Sequence, residues 1–448
     1  MAAYLSGLHH ISLHVSNVNK IANDLVSKFK FSLFATRLTD RSRQLAFRKG
    51  AAVFVVNERP NQSGVTLNEE LPDITHRHSP DTRRLNVGKY EHGTAKCLYD
   101  ISPSYSVDTV SNVCFEVEDV EKSFRDLRLL GCNFLVPPTT VEDETGAVTY
   151  SVVQSVVGNV CHTLIDRTKY EGLFLPGFDV LEKDCNLEED EDMSCPITHF
   201  DHITYACHRK TTQQVMRWYE QLFGFQRFFI DSEEDVDEGF VINQQGIGLR
   251  LTAMEYWKCS KAGIILPSVD KKGPDCKFVI AESLPEQGRN QVDTFLEQHQ
   301  APGIQHVGLY TENILSTAHA MAGAGVQFFS PPPAYYTEVG KQQEIEEAGH
   351  RPQMLAQYGI LLDTDLHQDP LKTSCDNRRY LLQVFTKPIF AEDTFFLELI
   401  ERRGAMGFGE GNIRALWRSV QAYMESERGD SQENENSKTV YTRARETK

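Results

Sequence analysis

The chain has 448 residues, of which 40% are hydrophobic, and its formal net charge at pH 7 is −17. A chain of this length forms roughly two to four core units, no apolar run approaches the ~18 residues of a transmembrane helix, and the acidic balance disfavours binding to nucleic-acid phosphates. Ten cysteines without a CxxC pair argue against a zinc ribbon or a disulfide scaffold and predict reduced thiols.

Three short stretches place a histidine near the start of a similar strand. In chain order they are LHHISLHV at 8–15, FDHITYAC at 200–207 and IQHVGLYT at 304–311. The alternation of apolar and polar residues predicts a half-buried β-strand in each case. A pattern that recurs along one chain indicates internal repeats, so duplicated modules are expected.

The repeat is clearest between residues 110–138 and 304–332. These segments align without a gap at an offset of 194 residues, which places Asn112 on His306. Each segment predicts a strand, an amphipathic helix, a turn glycine and a second strand that stops at a proline pair. The chain is therefore predicted to be an α+β protein built from βαβββ modules.

A weaker match aligns His10 with His202 and extends the repeat to four modules. Residues 1–180 are predicted to form an N-terminal half with modules 1 and 2 and no metal. Residues 198–424 are predicted to form the catalytic half, with modules 3 and 4 and a C-terminal helix. Residues 181–197 between them form an acidic linker.

Two polar stretches lie outside this pattern. Residues 60–108 lack a clear periodicity and are predicted to be an insertion in the N-terminal half. Residues 425–448 are too poor in apolar side chains to form a core, so a disordered tail is expected.

The C-terminal half contains a candidate metal site. A non-haem Fe(II) oxygenase needs two neutral imidazoles and one carboxylate on one face of the metal. His202 opens module 3, His306 opens module 4, and Glu398 lies in the apolar strand FFLELIER, where an unpaired carboxylate costs several kcal/mol. Taken singly, each histidine is more often a structural residue, and the alternative for Glu398 is an outward position on an edge strand.

The N-terminal half lacks the corresponding set. Its aligned positions are His10, Asn112 and Thr163. In the last strand of module 1, Val55 stands at the position that corresponds to Glu398. One imidazole cannot form a facial triad. His10 is therefore predicted to be structural and the first half to be a scaffold.

Several specific motifs identify a resemblance to a known family. They are YEGLFLPGF (170–178), GIQHVGLYTENI (303–314), YLLQVFTKP (380–388), FFLELIER (395–402) and GFGEGNIRALW (407–417). With these motifs the chain resembles the 4-hydroxyphenylpyruvate dioxygenase family of the vicinal oxygen chelate superfamily over residues ~1–425. The resemblance implies a glyoxalase/bleomycin-resistance-like fold with two open barrel-like halves, and His202, His306 and Glu398 as ligands of Fe(II).

The same resemblance implies a substrate and a pocket. Family members bind a small aromatic 2-oxo acid at the iron and use O2 as co-substrate. Gln291, Gln305, Gln383 and Asn412 match residues that contact or position the substrate. Phe385, Phe396 and Phe408 match residues that wall the aromatic ring. Individually, each of these residues has an ordinary core or surface position as its alternative.

The chain departs from the ring-hydroxylating family members at several pocket positions. Val279 and Ala281 stand where the family has the proline and asparagine of a Pro-x-Asn stretch. Leu249 lies near the position of a family serine, and Ile413 replaces the phenylalanine that follows the GFGxGN motif. The 4-hydroxymandelate synthases also carry apolar residues at the asparagine position. Because a ring shift of about 1 Å changes which carbon is attacked, 4-hydroxymandelate is predicted as the product in preference to homogentisate.

Other functions remain as alternatives. One is a dioxygenase that forms homogentisate, and another is a catalytically silent paralogue that binds a metabolite or a partner. An extradiol or glyoxalase-like activity is disfavoured by the QVFTKP and GFGEGN motifs.

The resemblance and the expected product also suggest a cellular setting. Further oxidation of 4-hydroxymandelate would supply 4-hydroxybenzoate, the ring precursor of ubiquinone. This chemistry and the resemblance favour mitochondria despite a weak presequence, with the cytoplasm as the alternative. Family members are commonly homodimers, but the sequence identifies no interface.

Overall fold

The computed structural model describes most of both halves. The described residues are 3, 5–39, 42–59, 97–101, 106–181, 194–230, 234–244, 247–256, 276–364, 379–405, 407–409 and 411–413. The predicted tail, most of the predicted insertion, most of the linker and the C-terminal helix beyond residue 413 lie outside this set.

The N-terminal half is one sheet built from modules 1 and 2. Module 1 contains β1 (Leu5–Val15), α1 (Val18–Asn23), β2 (Ser32–Thr39), β3 (Ser42–Lys49) and β4 (Ala52–Glu58). Module 2 contains β5 (Thr109–Val117), α2 (Val120–Leu129), β6 (Phe134–Asp143), β7 (Gly146–Gln154) and β8 (Cys161–Tyr170), and β9 (Asp179–Val180) follows it. The strand order β6-β7-β8-β5-β1-β4-β3-β2-β9 means that the modules meet at their first strands.

The C-terminal half repeats this plan. Module 3 contains β10 (Ile197–Cys207), α3 (Thr212–Phe223), β11 (Phe225–Phe228), β12 (Phe240–Gln244), β13 (Ile247–Tyr256) and β14 (Lys277–Ser283), and α4 (Gln291–His299) follows it. Module 4 contains β15 (Gly303–Thr311), α5 (Ile314–Gly323), α6 (Ala334–Thr337), α7 (Val339–Glu347), α8 (Pro352–Ala356), β16 (Leu361–Thr364), β17 (Tyr380–Phe385) and β18 (Phe396–Arg403). The order is β11-β13-β14-β10-β15-β18-β17-β16, and β12 pairs with β13.

The two sheets confirm the predicted fold of paired modules. In each half the first strands of the two modules pair antiparallel, β1 with β5 and β10 with β15. Each first strand also pairs in parallel with the last strand of its own module. Each sheet curls into an open half-barrel. The short helices α6 to α8 are an addition that the sequence pattern did not predict.

The gapless repeat also extends to the helix termini. Asp119 immediately precedes α2 and Asn313 immediately precedes α5, and each side chain accepts a hydrogen bond from the backbone N–H three residues later. Such a cap contributes about 1 kcal/mol to helix stability. A glycine with positive φ, Gly131 or Gly325, follows each helix.

One hydrophobic cluster spans both halves. Rings from the two halves pack across it, with 5.0 Å between the centroids of Phe54 and Phe200 and 6.2 Å between those of Phe115 and Phe278. A single cluster of buried apolar residues includes members of both sheets. Because apolar burial is the main favourable term in folding, this cluster holds the halves together.

The last part of the predicted insertion packs inside the N-terminal half. Tyr99 is 1% exposed, and its carbonyl accepts a hydrogen bond of 2.8 Å from Thr163 Oγ1. Asp100 is also buried, with its Oδ2 2.8 Å from His14 Nε2. Thr163 aligns with Glu398 in the repeat, so this segment occupies the region that corresponds to the candidate metal site.

Two further observations concern the described residues alone. None of their helices is long and apolar enough to cross a membrane. Their cysteines are free thiols, namely Cys97, Cys114, Cys132, Cys161, Cys195, Cys207 and Cys276.

We expect Phe278→Ala to destabilise the whole chain through the shared core. Phe278 is 0% exposed, so its truncation leaves a cavity that lowers the free energy of unfolding by about 3–5 kcal/mol. Chemical denaturation followed by circular dichroism measures this loss. The control Leu129→Ala removes a side chain that is 85% exposed and should leave the midpoint unchanged. A wild-type midpoint for Phe278→Ala would contradict the shared core.

Candidate metal centre

Three neighbouring strands bring the predicted metal ligands together. His202 lies on β10, His306 on β15 and Glu398 on β18, and β15 pairs with both other strands. In this register His202 stands opposite Gly308, and Gly308 stands opposite Glu398. Residues almost two hundred positions apart therefore lie on one face because the sheet is built from repeated modules.

The donor atoms of the three side chains converge. Glu398 Oε2 lies 3.0 Å from His202 Nε2 and 3.6 Å from His306 Nε2. The two imidazole rings are perpendicular, with 5.5 Å between their centroids. His202 and Glu398 are 2% exposed and His306 is 8% exposed. Two imidazole nitrogens and a carboxylate oxygen thus meet in a buried space.

The charges of this cluster favour a cation. Burial by itself lowers the pKa of His202, but the Glu398 carboxylate and the hydrogen bond with Asp201 outweigh it and raise the pKa to about 9. Burial and the neighbouring His202 lower the pKa of His306 well below its usual value. One positive charge is therefore stabilised beside the buried carboxylate, and a metal ion can supply it in place of the proton.

The donor set fits the cofactor that the sequence implied. Two imidazoles and one carboxylate on one face form the ligand set of non-haem Fe(II) oxygenases. The structure brings His202, His306 and Glu398 together as the repeat argument required. Their role as ligands stays a prediction.

Gly308 makes room for His202, a role that the sequence argument missed. A Cβ atom at Gly308 would lie 2.5 Å from both Cε1 and Nδ1 of the His202 ring. Such a contact is too short for any real side chain, so only glycine allows the ring to lie across β15. The signal was present as the glycine two residues after His306, but its meaning depends on the pairing of β10 with β15.

Asp201 and Arg402 support His202 at its Nδ1 atom, whereas Glu398 lies at its Nε2 atom. Asp201 Oδ1 lies 2.9 Å from His202 Nδ1, and Arg402 donates two hydrogen bonds of 2.7 Å to the Asp201 carboxylate. Burial raises the pKa of Asp201, but Arg402 and His202 together more than offset this and keep the pKa well below its usual value. A carboxylate behind a ligating imidazole fixes the ring orientation and increases its basicity. The sequence analysis did not identify either residue.

Two of the predicted amides contact the cluster or support it. Gln383 Nε2 donates to Glu398 Oε1 over 2.9 Å and to the Phe408 carbonyl over 3.1 Å. Asn412 lies behind Gln383, 3.2 Å from its Oε1 and 2.7 Å from the Tyr335 hydroxyl. Gln383 therefore orients the carboxylate, and Asn412 contacts Gln383.

The other two predicted amides are buried with unused acceptors. Gln291 begins α4 and is 4% exposed, and Gln305 precedes His306 on β15 and is 2% exposed. Neither side-chain Oε1 atom has a hydrogen-bond partner among the described residues, and His306 Nδ1 also lacks one. Buried polar atoms of this kind usually have a partner, so each amide oxygen remains available to a donor other than the described residues.

The predicted aromatic residues surround the imidazoles. Phe396 stacks on His306 with 4.8 Å between centroids, and Phe385 stands edge-on at 6.2 Å. Phe408 approaches His202 at 5.5 Å and 89°. These rings limit the access of water to the donor atoms.

The residues that depart from the family pattern form one apolar wall. Val279, Ala281, Leu249 and Ile413 are buried in the same cluster as Phe408. A second apolar cluster contains Phe385 and Phe396. Since Phe408 contacts one imidazole and Phe396 the other, the candidate metal centre lies between two apolar surfaces.

The aligned residues of the N-terminal half form a different arrangement. Asn112 Nδ2 donates to Thr163 Oγ1 over 2.7 Å, and the Thr163 N–H donates back to Asn112 Oδ1 over 3.0 Å. Val55 is buried in an apolar cluster. Asn112 and Thr163 satisfy each other, so His10 lacks the partners that His202 has.

The paired modules and the buried group of two imidazoles and one carboxylate define a protein of the vicinal oxygen chelate fold. The chain is 39% identical over 429 residues to the 4-hydroxyphenylpyruvate dioxygenase-like protein of Homo sapiens, a match that covers 94% of this chain and 98% of the relative. It is 29% identical over 425 residues to the 4-hydroxyphenylpyruvate dioxygenase of Tetrahymena thermophila, covering 94% of this chain and 90% of that enzyme. The chain belongs to the 4-hydroxyphenylpyruvate dioxygenase family.

Solved structures share the fold. A mutant of 4-hydroxymandelate synthase from Streptomyces coelicolor matches with a TM-score of 0.66 at 21% identity, covering 94% of this chain and 99% of that chain. A xylose isomerase-like TIM barrel/4-hydroxyphenylpyruvate dioxygenase fusion protein matches with a TM-score of 0.55 at 14% identity. The match covers 94% of this chain and 53% of that chain. No family model matches the chain.

We expect Gly308→Ala to weaken metal binding, because the added methyl group displaces the His202 ring. Loss of ligand orientation typically reduces metal affinity about 10–100-fold. Anaerobic titration with Fe(II) measures the affinity. The control Gly7→Ala adds a methyl group on β1 where no atom lies within 4 Å and should bind Fe(II) like the wild type. Equal affinities for both variants would show that Gly308 does not control the position of His202.

Proposed function

We propose that the chain is a non-haem Fe(II) dioxygenase that oxidatively decarboxylates 4-hydroxyphenylpyruvate with O2. The convergence of His202, His306 and Glu398 in a buried space carries this proposal. Membership of the 4-hydroxyphenylpyruvate dioxygenase family supports the choice of reaction and substrate. Fe(II) held by these three residues would bind the 2-oxo acid and activate O2.

The protein contributes orientation and exclusion of water. Asp201 and Gln383 hold His202 and Glu398 in place through hydrogen bonds of 2.9 Å each. Phe385 and Phe396 cover His306 and keep water from the reacting groups, which strengthens every electrostatic interaction in the site.

Gln291 and Gln305 are suited to bind the polar end of the substrate. Each has a buried Oε1 atom without a hydrogen-bond partner among the described residues, and this atom can accept a hydrogen bond from a phenol. Val292, the residue next to Gln291, lies in the same apolar cluster as Val279 and Ala281. The phenol would therefore be recognised beside the wall on which the ring packs.

The apolar wall favours 4-hydroxymandelate as the product. With Val279 and Ala281 in place of the family Pro-x-Asn pair and with Ile413 in place of a phenylalanine, the wall lacks the amide found in the ring-hydroxylating enzymes. This wall then contacts the ring by packing alone, without a hydrogen bond of its own, and a displacement of about 1 Å selects the benzylic carbon over the ring carbon. In this reaction one substrate and one O2 give one 4-hydroxymandelate and one CO2.

The proposed product suggests a place in metabolism. Further oxidation of 4-hydroxymandelate would yield 4-hydroxybenzoate, so the enzyme would supply the ubiquinone ring and act in mitochondria. This setting rests on the chemistry of the product and on the family resemblance. A tagged protein that stayed diffuse in the cytosol would refute the mitochondrial part.

We expect substrate-dependent O2 uptake by iron-loaded protein, measured with an oxygen electrode. Glu398→Ala removes the carboxylate ligand and should reduce uptake to the rate without protein. The control Glu171→Ala changes an exposed carboxylate of the other half and should retain wild-type uptake. If wild type and Glu398→Ala gave equal uptake, or if neither consumed O2, a binding protein without activity would be the better account.

We expect 4-hydroxymandelate as the main product in chromatography of the same reaction. Ala281→Asn should increase the share of homogentisate because it restores an amide to the wall, whereas Ala281→Leu, similar in size but apolar, should not. Homogentisate as the main product of the wild type would refute the proposed regiochemistry and leave the dioxygenase assignment intact.

A further inference from the structure

Strands β1 and β10 carry the same irregularity next to their histidines. In β10 a β-bulge at Asp201 brings Asp201 Oδ1 to 2.9 Å from His202 Nδ1. In β1 a bulge at His9 brings His9 Nδ1 to 2.7 Å from His10 Nδ1. A bulge places two consecutive side chains close together where a regular strand would point them to opposite faces. The N-terminal half therefore has a histidine pair where the C-terminal half has an aspartate and a histidine.

A cysteine completes a group of three donors. Cys114 stands opposite His10 on β5, just as Gly308 stands opposite His202 on β15. Donor atoms of His9, His10 and Cys114 all lie within 4.8 Å of one another. Within the described ranges, only this group and the predicted iron ligands bring three such side chains so close together.

The surroundings of this group are apolar. Phe174 stacks on His9 with 5.6 Å between centroids and 22° between planes, and it meets His10 edge-on at 6.2 Å. Cys114 is 0% exposed and belongs to the cluster that contains Phe34 and Phe174. Donor atoms in a water-poor environment interact more strongly with a cation than exposed ones.

We propose that His9, His10 and Cys114 bind a Zn²⁺ ion, separately from the metal centre of the C-terminal half. Imidazole nitrogen and thiolate sulfur are both ligands that Zn²⁺ takes in proteins, whereas two imidazoles and a carboxylate suit Fe(II). On binding, the S–H bond of Cys114 breaks, the sulfur electron pair forms the bond to zinc, and the proton passes to solvent. Three protein ligands leave a fourth position for water.

This site departs from the prediction that the first half binds no metal. That prediction compared only the positions that align with His202, His306 and Glu398. His9 and Cys114 are not among those positions, because they correspond to the bulge residue and to the glycine of the other half. They join His10 through a bulge and through strand pairing, and neither feature is visible in the repeat alignment.

Titration of the metal-free, full-length chain with Co²⁺ alone tests the proposal. A cobalt–thiolate bond gives a charge-transfer band in the near ultraviolet, and a site of nitrogen and oxygen ligands does not. The wild type should develop this band and Cys114→Ser should lose it. Cys161→Ser removes another buried thiol of the same apolar cluster and should keep it. Glu398→Ala should also keep it, which separates this site from the proposed iron site.

Three outcomes overturn the proposal. They are a folded wild type without the band, an unchanged band in Cys114→Ser, and loss of the band in Cys161→Ser. If circular dichroism shows that Cys114→Ser does not fold, His9→Gln decides. His9 is only partly buried, and its loss should weaken Zn²⁺ binding at least about tenfold in competition with a chelating dye. Wild-type affinity in His9→Gln would equally overturn the site.

Discussion

A carboxylate buried between two imidazoles is the interaction around which the C-terminal half is arranged. Glu398 is 2% exposed, and an ionised carboxylate in such a position needs both a positive charge and hydrogen bonds. His202 and Gln383 supply contacts to its two oxygens at 3.0 and 2.9 Å. The ion pair of Asp201 with Arg402 then fixes His202. The positions of these groups depend on the pairing of β10, β15 and β18, and that of Gln383 on the pairing of β17 with β18.

Duplication of one module explains why this arrangement is possible and why the two halves differ. Both halves keep the antiparallel pairing of first strands and a bulge beside the first histidine. The glycine at 308 leaves space for an imidazole, whereas the cysteine at 114 fills the equivalent space with sulfur. Asn112 and Thr163 satisfy each other by hydrogen bonds. Changes in a few inward-facing residues therefore give two clusters of different chemistry on one backbone plan.

The sequence was informative where a feature depends on local pattern or on repetition. The alignment of 110–138 with 304–332 predicted the module order and brought His306 into the same site as His202. The equivalent caps of α2 and α5 were seen only in the structure. Asp201 and Gly308 were missed because their roles depend on a bulge and on cross-strand register, which no local pattern reports. The packing of residues 97–101 inside the first half depends on tertiary contacts and was likewise not predictable from a stretch without periodicity.

We propose that the three convergent side chains hold an iron ion that makes the chain a dioxygenase. Incubation of iron-loaded protein with 4-hydroxyphenylpyruvate under ¹⁸O₂, followed by mass spectrometry of the aromatic product, tests it most directly. Decarboxylation coupled to hydroxylation predicts that both labelled oxygen atoms enter one product molecule, one in its carboxylate and one in its new hydroxyl group. An aromatic product without label, or recovery of unchanged substrate alone, would contradict the account.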